Sequence, residues 1–138
     1  MVDRDLVCAK AGAIARHLDR VRSKRDVPLD VFVADLDRQE SVLFNLQMAV
    51  QGCIDLAAHL VSDLDLGVAG STSELFYLLE REGILDPALV EQMVRAVGFR
   101  NLLVHEYARI DLGQVHRIAQ DVVATLESFL AVIGGRWL

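Results

Sequence analysis

Between Leu36 and Leu64 the apolar residues return at intervals of three, four or seven: Leu36, Leu43, Leu46, Val50, Cys53, Ala57, Leu60 and Leu64. That spacing keeps them on one side of an α-helix and would scatter them over both faces of a strand. A helix of about seven turns follows, with Gln39 as the one polar entry in its stripe. Gly52 lies inside it. An interior glycine costs about 1 kcal/mol against alanine, so its presence predicts another helix at close approach. A helix this long with an apolar stripe must bury that stripe against partners.

The rest of the chain supplies them. Val7, Ala11, Ile14, Leu18 and Val21 mark a helix from Asp3 to about Arg25, broken by the Pro28 region. A loop from Gly67 to Gly70 precedes Ser71-Thr72-Ser73-Glu74, a capping box. The helix it starts carries Leu75, Leu78 and Leu79 and stops at Gly83-Ile84, as a Schellman motif would. Asp86-Pro87 supplies N-cap and first turn for a fourth helix, expected to reach about Tyr107. The stripe Val115, Ile118, Val122, Leu126, Phe129 and Ile133 makes a last helix from about Leu112 to Ile133, with Gly134-Gly135 as its stop. No segment alternates with period two between hairpin turns. The expectation is one all-α domain over residues 1–138, a bundle of about five helices.

Composition agrees and excludes little. The chain is 53% hydrophobic and 25% charged, enough for one core and a solvated surface. The net charge of −6 argues against coating nucleic acid by bulk electrostatics, though it leaves room for a local basic pocket. No run of about 18 apolar residues appears, so no membrane span is expected. The charged start Met1-Val2-Asp3-Arg4-Asp5 is unlike a signal peptide. Cys8 and Cys53 read as buried free thiols of a reducing cytoplasm.

One stretch stands apart: Gly98-Phe99-Arg100-Asn101-Leu102-Leu103-Val104-His105-Glu106-Tyr107. On a continuous helix Asn101 and His105 lie one turn apart, and Arg100 and Tyr107 are nearly eclipsed. The four would share one broad face of a helix whose upstream apolar residues suggest deep burial. Buried Arg, Asn and His are costly unless satisfied or used. A structural network is one reading, with Asn101 orienting His105 and Arg100 meeting a carboxylate. A catalytic site is the other.

Arg100-Asn101-x-x-x-His105-x-Tyr107 resembles the signature of HepT-like HEPN proteins. Gly98-Phe99, Ile110-Asp111, Asn45-Leu46-Gln47 and the run from Ile54 to His59 are similar to that family as well. The resemblance implies a helical bundle that forms a homodimer through the motif helices. It implies a ribonuclease toxin that cuts RNA without metal or cofactor. It also implies a minimal nucleotidyltransferase antitoxin as partner, which places AMP on the motif tyrosine, here Tyr107. Chemistry supports the assignment. Metal-free cleavage by the 2′-hydroxyl needs a base, an acid and positive charge at the phosphorane. Histidine suits the first two tasks and arginine the third. One chain offers a single motif histidine, and a two-fold dimer offers two. Arg100 is therefore expected to bind phosphate, His105 to move protons, and Asn101 to orient the ring or bind phosphate.

Asp55 and His59, four apart with Gln51 on the same stripe, are a possible cleft or partner edge; no third metal ligand is evident. His17 and His116 read as solvated, and Glu106 as facing solvent or partner. No Gly-rich phosphate loop and no nucleotidyltransferase Gly-Ser…Asp-x-Asp pattern occurs, so this chain is the modified partner. The alternative function is a non-catalytic, nucleotide-binding or accessory subunit of a nucleotidyltransferase. A helical structural dimer would leave the polar motif unexplained.

Overall fold

The computed structural model describes residues 1–138, and its axis is the helix read from the apolar stripe. Six α-helices and no strands make up the chain: α1 (Arg4–Arg25), α2 (Leu29–Ala34), α3 (Leu36–Asp63), α4 (Thr72–Arg81), α5 (Pro87–His105) and α6 (Leu112–Trp137). A single 3₁₀ turn, Tyr107–Arg109, joins α5 to α6. Helix α3 touches every other helix, and from Leu43 to Leu60 its predicted stripe is buried. Leu36, at its first turn, is exposed instead. The buried side chains form one contiguous core, with Phe32, Phe76 and Phe129 its largest fully enclosed members.

Gly52 has the expected cause. A Cβ there would sit 2.6 Å from Cγ1 of Ile14, so the glycine lets α1 lie flat against α3. Helix starts also follow their caps. Asp86 accepts from the Leu89 N–H at 2.8 Å, and Ser71 from the Glu74 N–H at 3.2 Å. The box at Ser71 is not reciprocal: Glu74 takes the N–H of Gly70, one residue further back, at 2.6 Å. At the end of α4, Gly83 adopts φ 74°. Ile84 N–H reaches Leu79 O at 3.0 Å, the longer bond of a Schellman stop. Asp65, with φ 54°, closes α3 in the same way, with Leu66 N–H on Val61 O at 3.0 Å.

Several expectations are corrected. The bundle has six helices, because residues 29–34 form a short one where the sequence suggested only a break. Helix α2 is pinned by Phe32, fully buried, and by Gln39 of α3, whose side-chain amide donates to Phe32 O at 2.9 Å. Helix α6 runs through Gly134-Gly135 to Trp137, whose carbonyl accepts from Arg4 Nε at 2.7 Å. His116 is not free in solvent: its Nε2 is 2.7 Å from Val27 O and its ring lies 5.2 Å from that of Phe32. His17 is likewise engaged, 2.8 Å from the side-chain oxygen of buried Asn45. Cys8 is exposed, while Cys53 is buried. Helices α3 and α6 are each long and apolar enough, by length and composition alone, to cross a membrane, although the apolar stripe of each lines the core.

Candidate functional site

Helix α5 is apolar on one side for most of its length. Leu89, Val90, Met93, Ala96 and Val97 are buried there, and Leu103 continues that side near the end. After Leu103 the helix has little left to bury. It stops at His105, where Glu106 leaves helical geometry at φ −134° and ψ 38° and its N–H caps Leu102 O. The 3₁₀ turn follows, and Asp111 starts α6 by accepting from the N–H of Gly113 at 2.9 Å.

The motif therefore sits at the exposed end of a helix and not inside a buried one. Asn101 and His105 remain one turn apart on the outward face, and both are exposed. No hydrogen bond joins them; each side chain is unengaged by the rest of the chain. Arg100 is separated from His105 by five residues, about 140° around the axis. It points from the arc that carries Met93, Ala96 and Val97, and it is half-buried. No carboxylate meets it. Its Nε is buried and has no hydrogen-bond partner. Tyr107, expected to eclipse Arg100 on a continuous helix, lies off the helix on the 3₁₀ turn with 55% of its surface exposed. The single broad face is thus replaced by a corner: arginine on the inner side, asparagine and histidine outside, tyrosine on the turn beyond.

The surroundings of the corner are apolar and open. Leu102 and Val104 are exposed beside it. Gly98, one turn before Asn101 and Leu102, has no atom within 4 Å of the position a Cβ would take. Nothing in this chain accounts for a glycine there. Asn101 and His105 line none of the main concavities of the surface, whereas small-molecule sites are concave. A groove of about 840 Å³ lies nearby between α5 and α6, lined by Arg95, Phe99, Asp121 and Thr125 among others. It passes one turn upstream of Arg100, on a different side of α5 from His105, and no pattern in the sequence pointed to it.

Asp55 and His59 are both half-exposed on α3. Asp55 accepts from Gln51 Nε2 at 3.0 Å, so the stripe read from the sequence is real. By helical position it is continuous with exposed Phe44 and Met48. No group of three His, Cys, Asp or Glu side chains converges here or anywhere in the chain to hold a metal ion.

Comparison with known proteins bears on this corner. The sequence pattern of the family described as Ribonuclease HepT-like matches residues 14–133. An mRNA nuclease HepT of Shewanella oneidensis is 30% identical over 129 residues, covering 94% of this chain and 96% of that protein. A tRNA nuclease HepT of Aphanizomenon flos-aquae is 35% identical over 102 residues, 74% of this chain and 69% of that one. Among solved structures, the tri-AMPylated Shewanella oneidensis HEPN toxin in complex with MNT antitoxin superposes with a TM-score of 0.87 at 30% identity, covering 98% of this chain and 99% of that one.

Proposed function

The chain belongs to the HepT-like ribonuclease family, and from that premise we propose that it is a metal-independent endoribonuclease toxin acting as a homodimer. The observation that carries the reading is Arg100. A buried guanidinium nitrogen without a partner is costly. The other such nitrogen, Nε of Arg38, belongs to a guanidinium that donates to Lys24 O at 2.8 Å and faces Asp35 at 3.5 Å, whereas no group of the chain engages any part of the Arg100 guanidinium. An arginine held half-buried, with its fork free, suits a phosphate.

His105 would take the proton of the 2′-hydroxyl or deliver one to the departing 5′-oxygen. Arg100 would stabilise the charge that grows on the phosphorane. Asn101 would orient the imidazole of His105 or add a phosphate contact. These groups lie at the exposed end of α5, and a single chain offers one histidine for two proton transfers. A second copy, related by a two-fold axis and meeting the first at Leu102, Val104 and Gly98, would supply the other and turn two corners into a cleft.

Tyr107 is the proposed site of AMP transfer by a minimal nucleotidyltransferase antitoxin. The Shewanella toxin is AMPylated and bound to such a partner. The exposed Tyr107 hydroxyl on its turn is accessible to a second protein. An adenylyl group there would place bulk and negative charge where the RNA phosphate must approach.

The test is RNA cleavage by purified protein in EDTA, with mass measured first to exclude AMP already on Tyr107. His105→Ala and Arg100→Ala should each lose cleavage by about 100-fold or more. Variants that fold normally and cut like the parent would remove these residues from the mechanism. A folded, unmodified parent that cuts no class of RNA would favour the accessory-subunit reading.

A further inference from the structure

We infer that the outer face of α1, with the part of α3 beside it, is a second RNA-binding surface: a track for single-stranded backbone away from the cleavage corner. It rests on the ribonuclease reading above. A chain of net charge −6 repels a polyanion unless its cations are grouped. Half of them are. Of 14 Lys and Arg residues, seven lie in α1: Arg4, Lys10, Arg16, Arg20, Arg22, Lys24 and Arg25.

Three of these seven serve the fold. Arg4 bonds Trp137 O, Arg22 pairs with Asp19 and Glu127, and Arg25 bonds His116 O and pairs with Asp26. Arg16, Arg20 and Lys24 make no such contact through their side chains. They stand four residues apart on successive turns, where like charges repel one another. The one acid within reach along the helix, Asp19, is taken by Arg22 at 2.7 Å. The fold thus tolerates an unrelieved row of three cations, spaced by about 6 Å along the axis, the scale on which an extended polynucleotide repeats its phosphates.

An aromatic platform lies beside the row. Phe44 of α3 is 58% exposed, and the His17 ring meets it edge-on with centroids 6.4 Å apart. His17 is held in turn by Asn45, whose amide donates to Ser41 O at 2.8 Å. On α1, His17 is a helical neighbour of Arg20, so cations and platform form one surface. An exposed, braced ring beside free cations is what single-stranded nucleic acid uses: bases stack while phosphates pair. An acidic protein would need the cations and not the ring.

The experiment uses the full chain with His105→Ala, so that a 20-nucleotide unstructured RNA stays intact. Anisotropy gives its affinity across a series of KCl concentrations. The triple variant Arg16→Gln, Arg20→Gln, Lys24→Gln should bind about tenfold more weakly at low salt. Its log–log salt slope should be shallower by about 2, since each lost phosphate contact removes about 0.7. Phe44→Ala should weaken binding by about fivefold or more with the slope unchanged. Arg95→Gln, Arg117→Gln, Arg136→Gln removes the same charge elsewhere and should leave affinity near the parent's. The inference is overturned if the triple variant binds RNA like the parent, or if the control loses as much. It is also overturned if the triple variant loses only binding to a nucleotidyltransferase partner. The double variant Arg16→Gln, Arg20→Gln, at two exposed positions, keeps the test valid should Lys24 matter to folding. If the parent cuts RNA and the triple variant is unaffected, the track alone fails. If the parent neither binds nor cuts RNA, the ribonuclease reading fails with it.

Discussion

The two cysteines differ in a way that chemistry can read. Burial pushes the Cys53 thiol well above its ordinary value of about 9, because a thiolate would sit in an apolar interior. Cys8 is exposed. A thiol reagent should label Cys8 rapidly in the folded protein and Cys53 only on unfolding. The same shift links to stability. Below pH 9 both folded and unfolded chains hold the Cys53 proton; above it only the folded chain does. Stability should therefore fall as pH rises past 9, by about 1.4 kcal/mol per unit from this group. Cys53→Ala should show a shallower alkaline decline in chemical denaturation, and parallel curves for the two proteins would refute the linkage. Gly52 is the other residue with a definite consequence. Gly52→Ala gains helix propensity of about 1 kcal/mol, yet drives a methyl into Ile14, a buried side chain. Overpacking typically costs about 1–3 kcal/mol, so the variant should melt below the parent. In an Ile14→Ala background, where the clash is gone, the same change should stabilise.

At the level of elements, local chemistry was legible and, apart from the close approach at Gly52, tertiary chemistry was not. Asp86, Ser71 and Gly83 each act within a few residues, and each starts or stops a helix where the sequence placed it. Helix α2 escaped because six residues carry no readable period; it exists through Gln39, seven residues on from Phe32, and through the packing of Phe32 on His116 from the other end of the chain. The end of α5 escaped because neither glycine nor proline marks it; the helix stops where its buried side runs out. Gly134-Gly135 misled in the opposite direction, since nothing but propensity argues for a stop and the helix continues. No atom of the chain lies within 4 Å of either Cβ position. Gly134→Ala and Gly135→Ala should accordingly stabilise α6 by about 0.5–1 kcal/mol each, visible as a raised melting temperature. A lowered one would mean that something packs on this helix end. As for the site, the motif residues were visible in the sequence, but their arrangement was not. Arg100 and His105 were read onto one broad face, yet five positions on a continuous helix set them about 140° apart, and Tyr107 leaves the helix altogether.

For the whole molecule, the question is what covers the apolar rim of that corner. Leu102 and Val104 keep 38% and 44% of their surface exposed and belong to no part of the core, so Leu102→Asp or Val104→Asp should lower the melting temperature only modestly. If two copies meet there, either variant should sediment as a monomer at concentrations where the parent is a dimer, and should lose cleavage with it. A dimer that persists in both variants would place the interface elsewhere. Tyr107 adds a consequence of another kind. It belongs to no α-helix and to no part of the core, so a group attached to its oxygen would alter what the face can meet without altering how the chain folds. Supply and readiness would then be separate quantities. The cell would hold a finished, long-lived inventory of idle protein, and its release would turn on one covalent bond, with no new translation and no proteolysis.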